Sequence, residues 1–114
     1  MKRLDKTSLT DTERKAVKAA AERLRLQFPV DRVILFGSTA RGDRDEHSDI
    51  DLLILTSRPL HWREEKTIVE ILFDIGMEHD VIFSPLFAST GEWDGGLFIN
   101  FPVFHEISRD GALV

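Results

Sequence analysis

The sequence predicts a single α/β domain. Two continuous apolar runs, Val33-Ile34-Leu35 and Leu52-Leu53-Ile54-Leu55, read as strands buried on both faces. Segments with apolar residues at helical spacing flank them, so strand and helix alternate and a sheet with helices against it follows. At 114 residues the chain can build one core and not two.

Residues 1–9 carry no periodic pattern and are expected to form a mobile lead-in to a domain spanning 1–114. Thr10-Asp11-Thr12-Glu13 has the form of a capping box, in which hydroxyl and carboxylate satisfy free backbone donors at a helix start. Val17, Ala20, Ala21, Leu24 and Phe28 then recur at helical spacing, and Pro29 stops the run, which predicts a helix over 11–27. Val30 to Phe36 is the first strand. Gly37-Ser38 makes a turn that can open a short helix over Thr39 to Arg41. The charged loop from Arg41 to Ser48 needs no core role, and Ile50 to Thr56 is the second strand, broken by Ser57-Arg58-Pro59.

A second helix starts at His61, with Trp62, Ile68, Val69, Leu72, Phe73 and Met77 on one broad face and Gly76 near its end. His79 to Phe83 reads as a third strand ended by Ser84-Pro85, with Asp80 opening it. Residues 86–101, broken by Gly91, Gly95 and Gly96 and rich in aromatics, fit either a core cover or a partner-facing patch. Pro102 and Gly111 frame a short helix over about 101–110, with Val103, Phe104 and Ile107 inward.

Composition removes several functions. A net charge of −5, from 15 basic and 20 acidic residues, disfavours broad nucleic-acid binding. The absence of cysteine excludes disulfides, thiolate metal sites and cysteine nucleophiles. No signal peptide and no membrane-length apolar window are present, which makes the cytoplasm the default location.

The chemistry gathers between the first two strands. In extended backbone, residues i and i+2 share a face, so Asp49 and Asp51 project together and suit a hard divalent cation. The Gly37-Ser38 turn offers N–H groups and a hydroxyl to a phosphate. Asp43 and Asp45 have the same spacing but sit in the loop without a strand to hold them, and His47 and Ser48 break an EF-hand pattern. Gly37 to Gly42 has P-loop spacing, yet Asp43-Arg44 follows where Lys and Ser or Thr are required. Ala40 excludes a hydrolase elbow around Ser38. Arg44, His47, Asp74 and Glu78 are read as surface residues.

The segment Leu35-Phe36-Gly37-Ser38-Thr39-Ala40-Arg41-Gly42, followed by Ser48-Asp49-Ile50-Asp51-Leu52-Leu53, resembles the signature of the DNA polymerase beta-like nucleotidyltransferase superfamily. Within it, length and context resemble the minimal nucleotidyltransferases, stand-alone MNT-domain proteins paired with HEPN-domain partners. The resemblance covers about residues 11–111. It implies a small mixed β-sheet packed by helices on one side. It also implies a metal site for two Mg²⁺ built from Asp49, Asp51 and Asp80, and phosphate binding by Gly37 and Ser38, with Arg41 pairing with the triphosphate.

The implied reaction transfers a nucleoside monophosphate, AMP from ATP, to a hydroxyl. The expected acceptor is a tyrosine of a HEPN toxin, which would make this chain a catalytic antitoxin. A non-catalytic antitoxin that sequesters its partner, and an enzyme acting on a small molecule such as an aminoglycoside, are the alternatives. The short chain suggests that a second chain, as partner or in an oligomer, supplies part of the acceptor wall.

Overall fold

The computed structural model describes residues 1–42 and 49–114. The readings of Asp43, Arg44, Asp45 and His47 therefore lie outside the described residues. The elements are β1 (Lys2–Arg3), a 3-10 turn (Leu4–Lys6), α1 (Asp11–Gln27), β2 (Val30–Phe36), α2 (Ser38–Arg41), β3 (Ile50–Thr56), α3 (Trp62–His79), β4 (Phe83–Ser89), α4 (Thr90–Asp94), α5 (Pro102–Asp110) and β5 (Ala112–Leu113). The strands form one mixed sheet in the order β1-β5-β2-β3-β4. β2 runs antiparallel to β3 and to β5, whereas β3 pairs with β4, and β1 with β5, in parallel.

Local signals explain where the helices begin. At α1 the Glu13 N–H donates to Thr10 Oγ1 at 3.1 Å and the Thr10 N–H to Glu13 Oε1 at 2.9 Å, the reciprocal capping box that the sequence announces. The same device opens α4, between Ser89 and Glu92. At α3, His61 Nδ1 accepts from the Arg63 N–H while Glu64 accepts from the His61 N–H.

Alternation along β2 and β3 then divides the core of the one domain into two layers, one on each face of the sheet. Val33, Leu35, Leu52 and Ile54 face α1 and α3. Ile34, Leu53 and Leu55 face the other way, toward Trp93 of α4 and Ile107 of α5. The two long helices share one face of the sheet, and the short C-terminal helices add a cover to the second. Among the described residues, no helix is long and apolar enough to cross a membrane.

Three expectations need correction. Residues 1–9 are not a mobile lead-in: Lys2 and Arg3 pair with Ala112 and Leu113, and Leu4 and Leu9 are buried. A strand of two residues is too short to show a period, so its partner at the far end of the chain is what reveals it.

The third strand begins at Phe83 rather than His79. His79 is the last residue of α3, Asp80 caps that helix in the left-handed region (φ 57°), and the strand runs on through Pro85 to Ser89. Pro85 is tolerated because β4 is an edge strand.

The inward face of α3 is Ile68, Ile71, Leu72 and Ile75, while Trp62, Val69, Phe73 and Met77 are exposed. Periodicity identifies a stripe but cannot choose between two neighbouring stripes on one helix.

Candidate active site

The site is assembled where β2 hands the chain to α2, directly beside the start of β3. Phe36, the last residue of β2, is in register with Asp51. The next residue, Gly37, turns the chain with φ 75° and ψ −156°, a conformation closed to side chains with a β-carbon. A β-carbon placed on Gly37 would overlap the Asp51 carboxylate. The glycine thus serves the turn and the carboxylate at once.

The short helix α2 is clamped from the N-terminal segment. The Ser8 N–H and Ser8 Oγ both donate to the Thr39 carbonyl, at 3.2 and 2.9 Å, and Lys2 Nζ donates to the Ala40 carbonyl. Thr39 is buried and its hydroxyl donates to the Phe36 carbonyl at 3.3 Å. Residues that looked like a lead-in therefore brace the glycine-serine bend. Ser38 opens α2, partly exposed, and Arg41 closes it.

Asp51 is half-buried, and its carboxyl is held above the usual aspartate range. Burial is the largest cause, followed by the charges of Asp49 and Glu106, with Arg41 opposing them. Asp49, exposed and one residue ahead of β3, is thus near enough to act on Asp51, as their spacing requires. Arg41 forms an ion pair with Glu106 of α5, each side chain about one third exposed.

Asp80 is exposed. It lies at the same end of the sheet as Asp49, because Ile82, two residues on, accepts the Ile50 N–H at 2.8 Å. Among the described residues, however, no three His, Cys, Asp or Glu side chains converge as a metal cluster. The residue that the sheet sets directly beside Asp51 is Ser84 of β4, in register and facing the same side. Sequence reasoning missed both Ser84 and Glu106. In the sequence Ser84 precedes Pro85 and reads as a strand terminator, and Glu106 sits on a helix that no motif links to the site.

From Asp51 the same face of β3 continues to Leu53, which lines an apolar cavity of about 230 Å³ with Leu86, Trp93, Phe98, Phe101 and Val103. The aromatic segment is therefore part core and part surface. Trp93 is buried against Phe98 and Phe104, with ring centroids 5.7 and 4.8 Å away, whereas Leu97, Ile99 and Phe101 are exposed.

The donor set fits a hard divalent cation: two carboxylates at i and i+2, one of them bearing a charge that burial makes costly.

Comparison with solved structures places this architecture among nucleotidyltransferase folds. A putative nucleotidyltransferase from Sulfolobus solfataricus superposes with a TM-score of 0.58 at 24% identity, covering 87% of this chain and 76% of that one. A structure described as a toxin-antitoxin with AMP-PNP also reaches 0.58, at 17% identity over 91% of this chain and 72% of that one. At such identities the likeness is one of fold.

Residues 15–90 match the Nucleotidyltransferase domain family, and the chain belongs to it. Two proteins of Methanocaldococcus jannaschii, each named a putative protein adenylyltransferase, share 44% identity over 61 residues and 47% over 45. Those stretches cover 54% and 38% of this chain, but only 62% and 45% of the two relatives.

Proposed function

We propose that this chain is a magnesium-dependent protein adenylyltransferase, moving AMP from ATP onto a hydroxyl, and that it acts in the cytoplasm as the antitoxin of a toxin–antitoxin pair. The tyrosine of a HEPN-domain toxin is the acceptor in this reading. The observation that carries it is the contact between a glycine-serine bend and the second of two paired carboxylates. Family membership supports nucleotidyl transfer, the archaeal relatives support a protein acceptor, and the toxin-antitoxin neighbour supports the setting.

In this reading Asp49 and Asp51 hold the metal, two Mg²⁺ ions when the nucleotide is bound. Asp80 is proposed as the third carboxylate on the strength of its place at that end of the sheet. Magnesium held there would supply neutralisation of the charge that develops in an in-line displacement. The Gly37 N–H and the Ser38 hydroxyl bind the β and γ phosphates, and Arg41 pairs with the same charge. A bond forms between the acceptor oxygen and the α-phosphorus, the bond to pyrophosphate breaks, and the hydroxyl proton passes to a carboxylate, for which Asp80 is the candidate. The apolar hollow beyond Leu53 offers a wall for a ring carried by the acceptor.

The test is transfer of label from α-labelled ATP to a HEPN-domain toxin. Label is expected on the toxin with wild-type protein. It should be absent with the Asp49→Asn, Asp51→Asn double variant, which keeps its circular-dichroism spectrum. Transfer that survives in the double variant would remove the site from the reaction.

A further inference from the structure

We propose that Glu106 of α5 is a positioning residue for nucleotide binding: it tethers the Arg41 guanidinium at the edge of the site so that Arg41 meets the triphosphate. This rests on the reading that the site binds a nucleoside triphosphate. Arg41 closes a four-residue helix that starts beside Gly37. A long side chain leaving so short a helix has many rotamers, and a phosphate that captures it must first order it. The ion pair with Glu106 does that ordering in advance, and a planar guanidinium can bridge a carboxylate and a phosphate together.

The tether is itself anchored. Glu106 precedes Ile107, which is fully buried against the sheet, and the Gly111 N–H closes the helix on the Ile107 carbonyl at 2.8 Å. Phe104 packs on Trp93 one turn earlier. Glu106 also projects on the Asp51 side of the sheet, where its charge acts on that carboxyl. It lies beyond residues 15–90, so the C-terminal helix contributes a charged group that the family-matched segment lacks. About one third of each side chain is exposed, so the guanidinium remains open to an approaching phosphate while paired.

Electrostatic repulsion alone would give the opposite sign. A carboxylate near a triphosphate site repels the ligand, so removing its charge should tighten binding. Tethering predicts that Glu106→Gln weakens it. The experiment measures binding of Mg·ATP and of AMP to the full chain by calorimetry, below the melting temperature, for wild type, Glu106→Gln, Arg41→Ala and the double variant. Expected are a loss of about three- to tenfold for ATP in Glu106→Gln and unchanged AMP binding. The double variant should be no weaker than Arg41→Ala alone.

ATP binding that is unchanged or tighter in Glu106→Gln, or losses that add in the double variant, would overturn the role of Glu106. A merely structural role would lower ATP and AMP binding together, and that result also overturns it. If wild-type protein binds no Mg·ATP, the nucleotidyltransferase reading itself fails and this inference with it.

Discussion

The backbone of Gly37 lies against the carboxylate of Asp51. No β-carbon can be added at position 37 without striking Asp51 Oδ2, and φ at that residue is +75°. Turn and acid are therefore one unit, and a change to either is felt by the other.

Gly37→Ala is expected to cost about 1–3 kcal/mol from backbone strain, and more from the overlap. It should also displace Asp51, abolishing Mg·ATP binding. Gly42 provides the control, since its φ is 88° but a β-carbon there meets nothing within 4 Å. Gly42→Ala should cost only about 1 kcal/mol and leave Asp51 in place. Urea titrations and nucleotide binding on both variants separate strain from site loss.

The raised pKa of Asp51 has a defined sign. Its carboxyl is harder to ionise in the fold than in the unfolded chain, through burial first and then Asp49 and Glu106. Stability therefore falls as pH rises from the ordinary value of 3.8 through the higher folded one, and stays reduced above it. Asp51→Asn should melt higher than wild type at pH 7, with the gap closing below the ordinary aspartate value. Magnesium at pH 7 should raise the melting temperature of wild type and not of Asp51→Asn. Thermal melts across pH, with and without magnesium, check both.

Asp80, proposed above as the third carboxylate, caps α3 in the left-handed region with its N–H donating to the Gly76 carbonyl. Asparagine tolerates that conformation, so Asp80→Asn removes charge and keeps the cap. The expected result is slowed label transfer at unchanged melting temperature. Asp80→Gly should melt slightly higher and be equally slow. Full transfer by Asp80→Asn would leave the residue a helix cap and reduce the site to Asp49 and Asp51.

Trp93 is 6% exposed, whereas Phe73 and Met77 are 66% and 71% exposed. Trp93→Ala should cost about 3–5 kcal/mol by opening the core layer on the second face of the sheet. Phe73→Ser and Met77→Ser should each stay within about 0.5 kcal/mol, since neither side chain leaves a core. Denaturant unfolding measures all three. A mild effect at Trp93 would mean that α4 does not cover the sheet as described.

Read alone, the chain announces whatever is decided over a few residues. The Thr10 and Glu13 cap, the extent of α1, the limits of β2 and β3, and the pairing of a Gly-Ser bend with Asp49 and Asp51 all depend on neighbours, and so could be read in order. Distant partners decided the rest. Lys2–Arg3 becomes a strand only because Ala112–Leu113 arrives beside it, and β4 starts at Phe83 because Ile50 pairs there. The choice of α3 face depends on where α1 and the sheet lie. Glu106 reaches Arg41 across 65 positions, on a helix placed by Ile107 and Trp93 rather than by any motif. Backbone propensity and capping act over one or two turns of chain, whereas packing acts through space, so the carboxylate pair was visible in one dimension and its surroundings only in three.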